Sequence, residues 1–317
     1  MEKRTLGNTG LSIAPLVFGG NVFGWTADEK TSFDLLDAFV DHGFNAIDTA
    51  DSYSLWAPGN SGGESETIIG NWLKARPGMR GRVVIFTKVA SDLGKPGQKG
   101  LSEKWILEAV DKSLARLGVE TIDLYFSHWM DPDTPQAETL GAYEKLLKAG
   151  KVKAIGASNH DADYLAKALN ISQEQGLPAY QALQPHYNLY ERDSFEGPLR
   201  DLCIEHGLGV VTYFSLAHGF LSGKYRSEDD LDQSLRGGGV SKYLTPRGEA
   251  ILAALDSVSA EYSATPAEVA LAWLMAKDGV TAPIASATKV PHVASFAKAA
   301  ELKLSEADMQ SLDAAGG

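Results

Sequence analysis

The stretch TSFDLLDAFVDHGFNAIDTADSY, residues 31–53, combines one helical pattern, one strand pattern and the polar residues that follow the strand. Apolar residues recur at three- and four-residue spacing over 31–43, which predicts an amphipathic helix ended by a glycine. The apolar run 44–48 predicts a buried strand. Asp48 and Tyr53 stand where that strand should reach the surface, so the strand end is predicted to hold an acid and a phenol.

The same alternation of strand and helix patterns continues along the chain. Strands are predicted at 14–20, 44–48, 83–88, 122–128, 152–158, 182–188, 208–213 and 280–286. Helices are predicted at 31–43, 65–75, 102–118 with Ser102 as N-cap, 139–150, 161–175, 198–207, 247–262 and 266–279. Regular alternation implies parallel strands with crossover helices, and eight strands are what a closed (β/α)8 TIM barrel needs.

A doubly wound dinucleotide-binding sheet is the alternative architecture. It requires a glycine-rich G-x-G-x-x-G turn after the first strand. The segment LVFGGNVFG, residues 16–24, has glycines at other spacings, which weakens this alternative. No shift in composition marks a domain boundary, so we expect a single α/β barrel domain over 1–317, with a short N-terminal hairpin and extra C-terminal helices.

Composition narrows the class of protein. The chain has 41 acidic and 29 basic residues, a net charge of −12, which argues against nucleic-acid binding. No apolar run approaches the roughly 20 residues that a membrane span requires. The single cysteine, Cys203, lies in an apolar helical pattern and is interpreted as a buried, inert thiol. It forms no intrachain disulfide, and the first residues lack the apolar core of a secretory signal, so the protein is predicted to be cytoplasmic.

Four ionisable residues are predicted to meet at one end of the barrel. Asp48, Lys88 and His128 close the second, third and fourth strands, and Tyr53 follows the second. Each residue alone has an ordinary structural interpretation as a cap, a rim aromatic, a solvated strand end or a core histidine. Because barrel active sites lie at the carboxyl ends of the strands, their shared position favours a catalytic group.

The four side chains suit proton transfer to or from an alcohol or carbonyl oxygen. A tyrosine with a pKa of about 10 is a poor acid near neutrality, and we expect the Lys88 ammonium to lower that pKa. Asp48 would keep the buried Lys88 protonated. His128 would donate a hydrogen bond that positions a substrate oxygen.

Several separated motifs resemble the aldo-keto reductase family in the same chain order. They are DTADSY (48–53), FTK (86–88), LYFSH (124–128) and GASN (156–159), and the likeness extends from RTLGNTGLSIAPLVFGG (4–20) to SATKVPHVASFAKA (286–299). The resemblance implies that Asp48, Tyr53, Lys88 and His128 are the catalytic tetrad, with Tyr53 as the proton donor in reduction. It also implies a nicotinamide cofactor bound without the glycine-rich fingerprint.

The resemblance further implies a set of cofactor-binding residues. Ser158, Asn159 and Gln184 should hold the nicotinamide carboxamide, Tyr213 should stack on the ring, and Leu216, Gly219 and Lys224 should wrap the pyrophosphate. The full set is Gly20, Asp48, Ser158, Asn159, Gln184, Tyr213, Phe214, Ser215, Leu216, Gly219, Lys224, Ser286, Thr288, Lys289 and His292.

Departures from the family pattern bear on cofactor choice. Phe214 and Ser215 replace the usual Ser-Pro, His292 stands where Gln or Arg is common, and Phe296 replaces a frequent Asn. Lys289 favours NADP, because an ammonium can pair with a phosphate dianion. The two substitutions in the adenosine segment keep NAD open.

The sequence says less about the substrate pocket and about the segment 215–244. Phe23, Trp25, Trp56 and Trp129 follow strand ends, and they either line an aromatic pocket for a carbonyl or alcohol substrate or plug the barrel mouth. The segment 215–244 is too long for a simple connector and is predicted to be functional or mobile.

Two other functions remain open at this point. One is a cofactor-sensing regulatory subunit, since some members of the family resemble potassium-channel β subunits. The other, a metal-dependent hydrolase, needs a cluster of histidines and carboxylates at the strand ends, where only His128 clearly stands, so no metal is expected. The number of chains in the assembly is left undetermined.

Overall fold

The computed structural model describes residues 1–234 and 237–317 of the protein. Its strands are β1 (Arg4–Thr5), β2 (Ser12–Ile13), β3 (Val17–Gly19), β4 (Ala46–Asp48), β5 (Val84–Val89), β6 (Ile122–Ser127), β7 (Val152–Ser158), β8 (Ala182–Gln184), β9 (Gly209–Thr212) and β10 (Ala282–Ala285). Strands β3 to β10 close into a parallel barrel in chain order, with β10 pairing with both β3 and β9. The predicted (β/α)8 TIM barrel is confirmed.

Helices surround the barrel. They are α1 (Glu29–Asp41), α2 (Glu64–Ala75), α3 (Glu103–Leu117), α4 (Gln136–Lys148), α5 (Ala162–Gln175), α6 (Pro198–Glu205), α7 (Pro246–Tyr262), α8 (Pro266–Ala276), α9 (Val290–Glu301) and α10 (Glu306–Gly316). Ser102 caps α3 as predicted, since its side chain accepts a hydrogen bond from Trp105 N. None of the described helices is both long and apolar enough to cross a membrane.

Helix α9 is one of the extra C-terminal helices, for which the sequence patterns give no bounds. Its second residue is Pro291. Proline is tolerated in the first turn because its missing N–H has no partner within the helix there. The finding matters because α9 begins at the mouth of the barrel.

The hairpin of β1 and β2 closes the amino-terminal end of the barrel. Leu6 and Ile13 are fully buried and belong to the same apolar cluster as the side chains inside the barrel, such as Phe86 and Phe126. Arg4 ties the hairpin to the wall by donating to the carbonyl oxygens of two later residues, at 2.9 and 3.0 Å. The opposite end, where the strands finish, is left for the functional site.

The close approach of α2 to α3 gives a test of the packing. Gly70 lies inside α2, where helix propensity alone favours alanine by about 0.5–1 kcal/mol. A Cβ at Gly70 would collide with the carbonyl oxygen of Arg116, so we expect Gly70→Ala to destabilise the protein by about 1–3 kcal/mol. Gly141 in α4 has open space around its Cβ position, so Gly141→Ala should stabilise by about 0.5–1 kcal/mol. Urea unfolding of both variants checks the signs, and stabilisation by both would contradict the close helix contact.

Candidate active site

The barrel brings the four predicted residues to its carboxyl end. Asp48 is the last residue of β4 and pairs in register with Phe86, two residues before Lys88. His128 directly follows β6, and its backbone N donates to Val89 O at the end of β5. Parallel register therefore places the carboxyl group of Asp48, the amino group of Lys88 and the ring of His128 on neighbouring strand ends. Tyr53 follows in the turn after the first of these strands.

Tyr53 is hydrogen-bonded to both members of a buried ion pair. Lys88 Nζ lies 2.7 Å from Asp48 Oδ2, and the two side chains are 0% and 1% exposed. Tyr53 OH lies 2.9 Å from Asp48 Oδ2 and 2.8 Å from Lys88 Nζ. Lys88 donates also to Thr49 O at 2.9 Å, and Gln184 Nε2 donates to Asp48 Oδ1 at 2.9 Å. The charges are thus compensated and fully hydrogen-bonded, which a buried pair requires.

The protonation of Tyr53 differs from the prediction. Burial raises the pKa of Tyr53 well above its usual range, and the Asp48 carboxylate raises it further. The expected lowering of this pKa by Lys88 does not prevail, because desolvation and then Asp48 raise the pKa. Tyr53 is therefore a protonated phenol at neutral pH.

Burial lowers the pKa of both Lys88 and His128, but the neighbouring charges act on the two pKa values in opposite directions. Burial lowers the pKa of Lys88, and the Asp48 carboxylate opposes this by favouring the ammonium. Burial lowers the pKa of His128 well below its usual range, and the positive charge of Lys88 adds to the effect. His128, whose ring centroid lies 6.1 Å from that of Tyr53, is therefore a neutral imidazole.

Asp48, Tyr53 and His128 line one large cavity of about 930 Å³ at the barrel mouth. Most of the predicted cofactor residues line it: Ser158, Asn159, Gln184, Tyr213, Phe214, Ser215, Leu216, Gly219, Lys224, Ser286, Thr288 and His292. Trp56 and Trp129 line it too and are 50% and 48% exposed. A single cavity thus joins Asp48, Tyr53 and His128 to the predicted cofactor residues.

Five predicted residues do not line this cavity. Lys88 is one of them, because it is fully buried behind Asp48 and Tyr53. Phe23 is fully buried, because the short helical turn at Gly20–Val22 directs its ring into the core, where it stacks on Phe18 at 5.3 Å. Gly20 is buried in the same turn and its carbonyl oxygen accepts from Ser65 Oγ. Trp25 lies against the edge of Trp56, with ring centroids 5.7 Å apart. Lys289 is exposed at the N-cap of α9, beside the cavity.

A hydrogen-bonded group of amides occupies the middle of the cavity wall. Asn159 donates to the carbonyl oxygen of His128 at 2.9 Å and accepts from the hydroxyl of Tyr213 at 2.5 Å. Ser158 Oγ donates to the carbonyl oxygen of Gln184 at 2.9 Å. These bonds hold the amide side chains and the Tyr213 ring in fixed positions next to the tetrad.

One part of the cavity wall brings two lysines close to a histidine. Lys224 and His292 line the cavity, and Lys289 stands beside it at the start of α9. Burial lowers the pKa of His292, and the charges of Lys289 and Lys224 lower it further. A cavity lined by amides next to the tetrad and by Lys224, with Lys289 beside it, fits an anionic ligand such as a nicotinamide dinucleotide.

The segment 215–244 forms part of the cavity wall. Its described residues make short 3-10 turns, and the prediction covers residues 235 and 236, which lie outside the described residues. Phe214, Ala217 and His218 have positive φ values of 52°, 47° and 58°. Left-handed backbone at non-glycine residues persists where the surroundings hold it, which is common at functional sites.

The structure adds residues that the sequence patterns did not indicate. Further cavity-lining side chains are Asn21, Thr26, Ser52, Leu55, Ser91, Asp92, His218, Ser222, Ala267, Leu271 and Ser295. The sequence could have indicated Ser91 and Asp92 as site residues, because they come soon after the end of a barrel strand. It could not have indicated Ala267 and Leu271, since on the pattern of α8 they are indistinguishable from core residues.

Metal and thiol chemistry find no support in the described residues. Within 1–234 and 237–317, no group of three histidine, cysteine or acidic side chains is arranged to hold a metal ion. Cys203 is fully buried, and burial raises the pKa of its thiol to about 12. The thiol is therefore inert, as predicted.

Comparison with known proteins agrees with the geometry. Residues 15–316 match the model of the Aldo/keto reductase family. The uncharacterized oxidoreductase YrpG of Bacillus subtilis is 33% identical, over 99% of this chain and 95% of that protein. A putative voltage-gated potassium channel subunit beta of Schizosaccharomyces pombe is 32% identical, over 94% and 88% of the two chains. An aldo-keto reductase of Fusarium vanettenii is 30% identical, over 99% and 90%. The resemblance found in the sequence is confirmed, and the chain belongs to the aldo/keto reductase family of oxidoreductases.

Proposed function

We propose that the protein is an NADP-dependent reductase that transfers a hydride between the nicotinamide and the carbonyl or alcohol carbon of an aldehyde, ketone or sugar. The observation that carries this proposal is the position of Tyr53 on the cavity wall, hydrogen-bonded to both Asp48 and Lys88. A phenol held in this way is poised to exchange a proton with a substrate oxygen.

Each member of the tetrad has a role that follows from its contacts. Tyr53, kept protonated by burial, donates its proton to the carbonyl oxygen during reduction. Lys88 stabilises the phenolate that remains, through its contact of 2.8 Å to the Tyr53 oxygen. Asp48 holds Lys88 charged and in place. A reduced nicotinamide, when bound, supplies the hydride.

The cofactor residues follow from the wall of the cavity. Ser158, Asn159 and Gln184 lie next to the tetrad and offer the polar groups that a carboxamide needs. Tyr213 offers an aromatic face beside them, and Lys224 offers a positive charge on the wall of the same cavity. The nicotinamide would accordingly lie near Tyr53 and the phosphates near α9, whose N-terminus favours negative charge.

NADP is favoured over NAD by the charge of two lysines close to His292. The ammonium groups of Lys289 and Lys224, whose charges both act on His292, would attract a 2′-phosphate, and His292 could offer it a hydrogen bond. Phe296, which replaces an asparagine common in the family, is 3% exposed and offers the adenine only an apolar contact. NAD remains the alternative cofactor.

Cofactor titration tests the proposal. NADPH should bind more tightly than NADH and change the emission of the tryptophans near the cavity. Lys289→Ala should weaken NADPH binding about tenfold, the value of one charge-assisted contact, and leave NADH binding nearly unchanged. Lys298→Ala removes an equal charge from the last turn of the same helix and should change neither. Failure of both cofactors to bind would overturn the proposal.

We further place the protein in the cytoplasm with a small-molecule substrate and no nucleic-acid partner. The single buried cysteine suits a reducing compartment. The net charge of −12 disfavours contact with a phosphate backbone.

A regulatory subunit that senses the cofactor is the second candidate. It is favoured by the relative named as a potassium channel subunit beta, which aligns with 94% of this chain. The two functions differ in turnover. Many catalytic cycles with a small carbonyl compound support the reductase, whereas a stable complex with a channel protein and negligible turnover supports the regulatory subunit.

A further inference from the structure

Three side chains beside Tyr53 form a hydrogen-bonded row. The indole Nε1 of Trp129 lies 3.1 Å from Ser91 Oγ, and Ser91 Oγ lies 3.0 Å from His128 Nδ1. An indole N–H is only a donor, so the serine oxygen accepts from Trp129. The serine hydroxyl proton is then available for its other neighbour, the ring nitrogen of His128.

We infer that Ser91 and Trp129 fix the tautomer of His128, so that Nδ1 accepts from Ser91 and the ring proton lies on Nε2. This inference rests on the proposed function, because its consequence is a hydrogen-bond donor presented to the substrate oxygen. Ser91 and Trp129 act through His128 and are positioning residues.

In the opposite tautomer, with the proton on Nδ1, the hydrogen bond between Ser91 and His128 would have to run the other way. A proton on Nδ1 would point at Ser91 Oγ, which already accepts from the indole. The serine hydroxyl could then donate its proton to neither Trp129 nor His128. Nε2 would carry no proton to donate to a substrate. A neutral histidine has one ring proton, so the bond made at one nitrogen decides what the other offers.

Backbone hydrogen bonds fix the chain next to Ser91 and at His128. Ala90, just before Ser91, has a φ of 119°, a conformation that is rare outside glycine. Its carbonyl oxygen accepts from Gly100 N, and the backbone N of His128 donates to Val89 O. Such a strained position is kept where the surrounding structure fixes it, often beside an active site.

The ring of His128 is also fixed by stacking. Trp129 stacks on it with centroids 5.4 Å apart and an interplanar angle of 17°. Burial, and then the charge of Lys88, lower the pKa of His128, so the ring carries a single proton and has a tautomer to fix. Trp129 thus contributes both a plane of contact and the N–H that begins the row.

The test is nitrogen NMR of histidine-labelled protein without cofactor or substrate. Two-bond proton–nitrogen correlations distinguish the two tautomers, and the signal that disappears in His128→Gln identifies His128 among the seven histidines. We expect the proton on Nε2 in the wild type and in Ser91→Thr, which keeps the hydroxyl. Ser91→Ala should give a mixture of tautomers. Trp129→Phe keeps a stacking ring but loses the N–H, and should give a smaller shift in the same direction.

Kinetics provide a second readout. Losing part of a pre-oriented donor to the carbonyl oxygen should lower kcat of Ser91→Ala about tenfold, with recovery in Ser91→Thr. A wild-type proton on Nδ1, or an unchanged His128 spectrum in Ser91→Ala, would overturn the inference. Because the NMR experiment needs neither cofactor nor substrate, these outcomes are separate from a failure of the proposed reductase activity.

Discussion

Tyr53→Phe should lower kcat by about 10²–10⁴-fold, because it removes the proton donor and leaves the rest of the site in place. The phenyl ring keeps the packing against Trp56, whose centroid lies 6.1 Å away. The variant loses only the hydroxyl that bonds to Asp48 and Lys88. NADPH should still bind, since its proposed contacts lie with other residues.

The measurement is steady-state reduction of a panel of small aldehydes and ketones, with cofactor binding followed in parallel. Ser61→Ala is a suitable control, because it removes a hydroxyl from an exposed position outside the cavity. Equal activity of Tyr53→Phe and the wild type would remove Tyr53 from the mechanism. Loss of cofactor binding in Tyr53→Phe would contradict the separation of the two sites.

Removing one partner of the Asp48–Lys88 pair should destabilise the protein by about 3–5 kcal/mol. In Asp48→Asn the ammonium of Lys88 stays buried without its carboxylate, and in Lys88→Met the carboxylate stays buried without its ammonium. The double variant leaves neither charge unpaired. We therefore expect its loss of unfolding free energy to be smaller than the sum of the single losses.

Urea unfolding measures these losses, and the chain offers a matched control. Lys30 and Asp34 form an ion pair with the same separation of 2.7 Å, but their side chains are 84% and 50% exposed. The corresponding variants Lys30→Met and Asp34→Asn should change stability by about 1 kcal/mol or less. If the buried and exposed pairs gave equal effects, the burial of charged Asp48 and Lys88 would be contradicted. The buried variants should also lose activity.

Much of the fold follows from patterns that the chain repeats. Apolar runs of strand length, each separated by an amphipathic helix, predict the barrel because parallel strands need crossover helices. The same logic brings Asp48, Lys88 and His128 together without any knowledge of distances, since consecutive parallel strands end at one face. The patterns predict extra helices at the C-terminal end but do not give the bounds of α9.

Details of the site depend on geometry that a pattern does not contain. Phe23 follows a strand end as Trp56 does, yet one short turn sends it into the core. The protonation of Tyr53 depends on its desolvation and on the nearby Asp48 carboxylate, which both raise its pKa and follow from positions that the sequence does not give. Ser91 Oγ lies 3.0 Å from His128 Nδ1 although 37 residues separate them in the chain. The neighbouring Ala90 has a φ of 119°, which no sequence pattern indicates.

The most direct measurement is isotope transfer from the cofactor. The purified protein would be incubated with NADPH deuterated at the transferable position of the nicotinamide and with a small aldehyde, and the alcohol analysed by mass spectrometry. We predict one deuterium on the former carbonyl carbon, in the wild type and, at a strongly reduced rate, in Tyr53→Phe. Alcohol formed without deuterium from either face of the labelled nicotinamide, or no alcohol from any carbonyl compound in the presence of bound NADPH, would contradict the assignment of this cavity as a carbonyl reductase site.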